Sequence, residues 1–174
     1  MRKVNPGNAW PLGSTITKRG VNFSVAAPEA EYLELLIFAD ENAKEPSEII
    51  YLDEKFKSGD YWHIEVEGLS TGCFYSYRVK NSNSSQLINP YKNLWLLDPC
   101  AREIKGWSLH KRDLPNQKSR GYSNSLKSVV SEREQFDFNA HPRPQHPWNK
   151  TVIYELHVGG FTQRDGSKVD ESKK

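Results

Sequence analysis

Apolar side chains concentrate between residues 21 and 100 and thin out over residues 101–150. Within the dense stretch they recur with period two, the spacing that puts one set of side chains on one face of a strand. Val21, Phe23 and Val25 share a face between the breakers Gly20 and Pro28. Residues 32–38 predict a second strand, with Leu33, Leu35 and Ile37 on one face and Leu36 and Phe38 on the other; residues 48–52 predict a short third. After the turn Ser58-Gly59-Asp60, residues 61–66 set Trp62, Ile64 and Val66 against Tyr61, His63 and Glu65. Residues 74–79 place Tyr75, Tyr77 and Val79 together. There is no internal repeat, and nothing within the first hundred residues sustains a period of 3.6. Short strands separated by turn residues predict an all-β, antiparallel sandwich.

Beyond this core the pattern changes twice. Residues 81–90 read as a polar loop, and the apolar run at 94–97 stops at Pro99. The following segment, basic and carrying Pro115, Pro142, Pro144 and Pro147, reads as an irregular connection. Residues 151–158 are then apolar, β-branched or aromatic on both faces, which predicts a strand buried on two sides, as in a parallel sheet. Such a strand needs neighbours brought in by crossover connections, and the polar residues after Gly159-Gly160 supply none. It is expected to pack on the sandwich, to be poorly ordered, or to drive self-association through residues 152–158. The expected division is a sandwich over 1–104, an irregular linker over 105–148 and a truncated further unit over 149–174.

Composition narrows the functional classes. With 174 residues the chain is too short for a complete (β/α)₈ barrel, which takes about 250. No apolar run is long enough to span a membrane, and the start Met1-Arg2-Lys3 precedes no apolar stretch of the secretory kind. Cys73 and Cys100 form no metal-ligand cluster, so no metal or cofactor is expected and a reducing, cytoplasmic setting is the default. His141 and His146 sit among prolines with no cysteine nearby. The net charge of +2 gives no general pull toward nucleic acid. The basic segment holds Trp107 and Tyr122, but base stacking needs aromatics on a rigid platform, so a solvated connection is expected and no nucleic-acid partner.

An ordered set of motifs carries a family resemblance. Pro6-Gly7, Pro11-Leu12-Gly13 and the run from Gly20 to Ala26 resemble the opening of isoamylase-type glycogen debranching enzymes, glycoside hydrolases of family 13 in the α-amylase superfamily. The run Tyr61 to Leu69, then Gly72 and Tyr75-Ser76-Tyr77-Arg78-Val79, resembles the middle of their N-terminal module, a family 48 carbohydrate-binding module. Asn89-Pro90, Leu97-Asp98-Pro99 and Ala101 are similar to its exit, Ser128-Val129-Val130 and Phe136-Asp137-Phe138 to the linker, and Val152 to Val158 with Gly160-Phe161-Thr162 to the first barrel strand. The resemblance implies an early-set, immunoglobulin-like sandwich followed by the first strand of an incomplete (β/α)₈ barrel. In whole members that barrel hydrolyses α-1,6-glucosidic branch links of glycogen.

Retaining glycosidases need two carboxyl groups about 5–5.5 Å apart across the scissile bond. The resemblance puts these on later barrel strands, so no catalytic residue carries over and the fragment is expected to be inactive alone. Glu155 and His157 share a strand face in this reading, but without a pocket they read as a structural pair; Asp165 and Asp170 read as solvated. What remains is binding of an α-glucan, glycogen or a malto-oligosaccharide, by aromatic faces that stack on pyranose rings. Trp62, Tyr75 and Tyr77 align with apolar neighbours and read as core. Tyr61 and His63 face the other way, and Trp10 and Trp95 lie outside clear strands, so these four are the candidate carbohydrate-contacting residues. Glycan-binding relatives tend to have a Trp in the loop after the second strand and a Lys in the fifth; here stand Asp40-Glu41-Asn42-Ala43-Lys44 and Ser76. The alternatives to a debranching-enzyme fragment are a free-standing glucan-binding module and a protein-interaction module.

Overall fold

The computed structural model describes residues 2–80, 95–107, 126–132, 137, 139, 140 and 143–170. The polar loop at 81–90, Tyr122 and His141 therefore lie outside the described residues. The chain divides into two compact units, Met1–Glu134 and Gln135–Lys174.

In the first unit the strands are β1 (Val4–Asn5), β2 (Gly13–Ile16), β3 (Gly20–Ala26), β4 (Tyr32–Phe38), β5 (Glu48–Leu52), β6 (Lys57–Ser58), β7 (Tyr61–Glu67), β8 (Phe74–Lys80), β9 (Glu103–Lys105) and β10 (Lys127–Val129). They form two sheets, one ordered β1-β7-β3-β2 with β6 also on β7, the other β5-β4-β8-β10-β9. Among the described residues every strand pair is antiparallel.

Register follows the period-two pattern. In the first sheet Val21 lies opposite Val66, Phe23 opposite Ile64 and Val25 opposite Trp62. In the second, Leu33 opposes Val79, Leu35 opposes Tyr77 and Ile37 opposes Tyr75. These inward residues form one core together with Ile50, Leu52, Phe56, Leu69 and Val130. The Phe23 and Tyr75 rings meet edge to face across the two sheets, centroids 4.9 Å apart. Trp62 belongs to this core, and its indole N–H donates to the Ala27 carbonyl over 3.0 Å. The polar end of a buried ring is thus satisfied.

The five expected strands form, and among the described residues five further short ones join them. Strand β10 comes from the segment read as irregular; Lys127-Ser128-Val129 offers no apolar alternation, and the strand exists because β8 and β9 pair with it on both sides.

The second unit corrects one expectation. Residues 151–157 form no strand, and Val158–Gln163 is a short helix. The physical reason is the missing ladder: a lone extended segment has no partner for its backbone N–H and C=O groups. The helix is held instead by local bonds, with the Gly160 N–H donating to His157 Nδ1 over 3.0 Å and the Thr162 hydroxyl donating to the Val158 carbonyl over 3.0 Å. Among the described residues no helix is long and apolar enough to cross a membrane.

Candidate functional site

The N-terminal segment lies across the outward face of the first sheet. The Asn8 N–H donates to Asn22 Oδ1 over 2.8 Å, and the Asn22 amide donates back to the Asn8 carbonyl over 3.0 Å. The Ser24 hydroxyl donates to the Ala9 carbonyl over 2.7 Å. Pro6-Gly7 makes this approach feasible. Gly7 has φ of +69°, and a Cβ there would sit 2.2 Å from Asn22 Oδ1 and 2.8 Å from the Glu65 N–H nitrogen.

This segment decides the fate of His63. The ring is only 7% exposed. Its Nδ1 lies 2.7 Å from the Pro6 carbonyl and its Nε2 lies 2.8 Å from the Ser58 hydroxyl. A carbonyl only accepts, so Nδ1 carries a proton, and Nε2 can then accept from Ser58. Alternation placed His63 on the outward face, as found; the segment that covers that face is what period-two reading leaves out. Tyr61, two residues earlier on the same face, is 40% exposed, and Trp10, just past the covering segment, is 73% exposed.

Glu65, also outward, accepts from the Thr17 hydroxyl at 2.7 Å and from Arg19. The Thr17 hydrogen bond first, and then Arg19, hold its carboxyl below the usual carboxylate range.

Trp95 goes to the other sheet. It is 6% exposed and packs on Leu36 and Phe38, with the Phe38 and Trp95 ring centroids 4.8 Å apart. Trp95, one of the four candidate carbohydrate-contacting residues, is therefore covered rather than presented to solvent. Its neighbour is a residue the sequence reading passed over. Lys127 is fully buried, with its ammonium 5.0 Å from the Phe38 centroid and 5.8 Å from that of Trp95. The ammonium donates to the Glu41 carbonyl over 2.8 Å. Burial pulls the Lys127 pKa down, opposed by Asp40 and Glu41. Ser76 is buried on this outward face opposite Leu36, and its hydroxyl has no hydrogen-bond partner.

Asp98 closes one end of the core. It accepts from the Tyr75 hydroxyl and from the Cys100 N–H, each over 2.8 Å, while its own N–H donates to the Ser128 hydroxyl over 3.0 Å. Burial raises the Asp98 pKa. Among the described residues no three His, Cys, Asp or Glu side chains group as a metal site, and Cys73 and Cys100 are free thiols. Burial pushes the Cys73 thiol up to about 11.

The described surface thus holds two exposed aromatics near the first sheet, Trp10 and Tyr61, and two buried frameworks, one around His63 and one around Trp95. Exposed aromatic faces of this kind can stack on the apolar face of a sugar ring.

Known proteins share sequence and fold with this chain. Residues 11–101 match the family model described as carbohydrate-binding module 48, the isoamylase N-terminal domain. The chain is 34% identical over 170 residues to the glycogen debranching enzyme of Pectobacterium atrosepticum, covering 94% of this chain and 25% of that protein. It is 36% identical over 168 residues to the glycogen debranching enzyme of Serratia proteamaculans, covering 93% of this chain and 24% of that protein. The chain thus spans about a quarter of the length of the curated relatives it matches. Among solved structures, the pullulanase of Group B Streptococcus superposes with a TM-score of 0.50 at 18% identity, over 72% of this chain and 15% of that one. A product complex of a multi-modular glycogen-degrading pneumococcal virulence factor superposes with a TM-score of 0.50 at 16% identity, over 72% of this chain and 12% of that one. At these identities the structural likeness supports the fold.

Proposed function

Because the chain belongs to the carbohydrate-binding module 48 family, the isoamylase N-terminal domains, we propose that it is the N-terminal part of an isoamylase-type glycogen debranching enzyme, whose sandwich contacts the α-glucan. The observation that carries this reading is the match to debranching enzymes over 94% of this chain but only 25% of theirs. Trp10 and Tyr61 are the aromatic faces we assign to the glucan, because they are the two sequence-derived candidates that reach solvent. His63 and Trp95 act as framework beneath. Hydrolysis of α-1,6 links belongs, in this reading, to the barrel of the whole enzyme, and the 174 residues alone are inactive. A reducing, cytoplasmic setting fits the two free cysteines.

The experiment pairs two measurements on the purified chain. Titration calorimetry with maltoheptaose is expected to give heat that Trp10→Ala and Tyr61→Ala each weaken. A reducing-end assay on glycogen is expected to stay at background; sustained release of branches by these residues would refute the reading.

A second reading rests on Val152 at 91% exposure and Ile153 at 77%. Residues 152–158 would then be a surface for association, with a second copy or with the remainder of the enzyme.

A further inference from the structure

Among the described residues, strand β2 is one edge of the first sheet and β9 one edge of the second. A cleft of about 250 Å³ is lined by residues of β2 and by residues flanking β9 and β10: Pro11, Thr15, Ile16, Arg102, Ser131 and Glu132. Two features set it apart from an ordinary surface groove. The Thr15 hydroxyl oxygen is buried and has no hydrogen-bond partner, a state that costs free energy unless something else satisfies it. Arg102 and Glu132 line the same cleft yet form no ion pair with each other; Glu132 accepts from the Thr71 hydroxyl at 3.5 Å.

The chemistry of the lining selects the ligand. One cation and one anion cancel, so neither an anionic nor a cationic ligand is favoured over a neutral one. Arg102 only donates, Glu132 only accepts, and Thr15 and Ser131 can do either, which matches a ring of hydroxyl groups that both donate and accept. Pro11 and Ile16 supply an apolar wall for the C–H face of a ring. The volume falls below the roughly 300–1,000 Å³ that accommodates drug-sized ligands, so one ring is the natural occupant.

We propose that this edge cleft is a second glucan-contact site, which holds a single glucosyl unit through Thr15, Arg102, Ser131 and Glu132. The site rests on the reading that the sandwich contacts α-glucan. It lies on edge strands, at residues distinct from Tyr61 on the outward face of the first sheet.

The test is a maltoheptaose titration of the 174-residue chain followed by amide NMR shifts, repeated on Thr15→Val, Arg102→Ala and Glu132→Gln. Shifts are expected at residues 15, 16, 102, 131 and 132, and each substitution is expected to weaken binding about three- to tenfold. Thr15→Val also separates binding from structure. A merely structural hydroxyl left unsatisfied is dispensable, so the valine variant should keep or raise the melting temperature while binding falls. Shifts confined to Tyr61 and its neighbours, with unchanged affinity in the three variants, would overturn the cleft and leave the glucan reading standing. No shifts at millimolar maltoheptaose would overturn both.

Discussion

The Tyr75 hydroxyl donates to Asp98 Oδ2 over 2.8 Å, and both residues are at most 3% exposed. The bond ties the segment after residue 94 into the core that the first hundred residues build. Tyr75→Phe removes a donor and leaves a buried carboxyl group short of one partner, which costs about 1–3 kcal/mol. Urea denaturation is expected to show that loss. The pH dependence follows from the raised Asp98 pKa. Its stabilising contribution is full below the unfolded value near 4 and is lost as pH rises toward the folded value, because the unfolded chain releases the proton first. Asp98→Asn is expected to remove that decline; an unaltered profile in this variant would count against the assignment.

Glu65 runs the other way. The Thr17 hydroxyl and Arg19 lower its folded pKa, so its stabilisation is present above the unfolded value near 4.3 and disappears as pH falls through the folded one. Acid titration of Glu65→Gln, followed by circular dichroism, is expected to show a shallower loss of stability below pH 4 than the parent chain.

Gly7 holds the covering segment against Asn22 and Glu65 at a φ of +69°. Alanine there meets both a strained backbone and a Cβ only 2.2 Å from Asn22 Oδ1. The strain alone costs about 1–3 kcal/mol. Gly7→Ala is expected to lower the urea midpoint and to loosen the bond between His63 and Pro6, which His63 ring NMR shifts would report.

Lys127 is a cation buried against Phe38 and Trp95. Its lowered pKa means that stability rises as pH climbs from the folded value toward the ordinary lysine range, where the unfolded chain also deprotonates. Lys127→Met is expected to keep the stability of the parent at pH 7 and to lose that alkaline rise. Lys127→Ala opens a cavity and is expected to cost about 2–5 kcal/mol. Thermal melts at pH 7 and pH 10 separate the two effects.

Val152 and Ile153 stand out in water within the second unit. Size-exclusion chromatography of the chain at rising concentration is expected to show self-association, and the double substitution Val152→Ser with Ile153→Ser is expected to reduce it. A strictly monomeric parent profile would remove the self-association reading.

The long strands were legible because alternation reports which face is dry. Val21, Phe23 and Val25, or Trp62, Ile64 and Val66, show period two whatever lies elsewhere in the chain. The short strands were not legible. β10 offers Lys127-Ser128-Val129, and its order comes from neighbours remote in sequence. The stretch at 151–157 fails in the opposite sense: its residues favour a strand, but no ladder is there to receive it. The candidate aromatics divide in the same manner. Trp10 and Tyr61 reach solvent, whereas His63 and Trp95 are covered by segments whose approach no local pattern announces.

What the sequence determined by itself was the sandwich, the shared faces of its four long strands and, through the order of its motifs, the family. Those depend on periodicity and short-range turns, which a linear chain states openly. Tertiary structure alone decided that residues 6–9 would bond across the face bearing His63, that a lysine would sit against the paired rings of Phe38 and Trp95, and that Thr15 would share a cleft with Arg102 and Glu132. Each of these joins residues far apart in the chain, and their meeting depends on which strands pair and which segments fold back over a sheet rather than on any property of the segments taken singly.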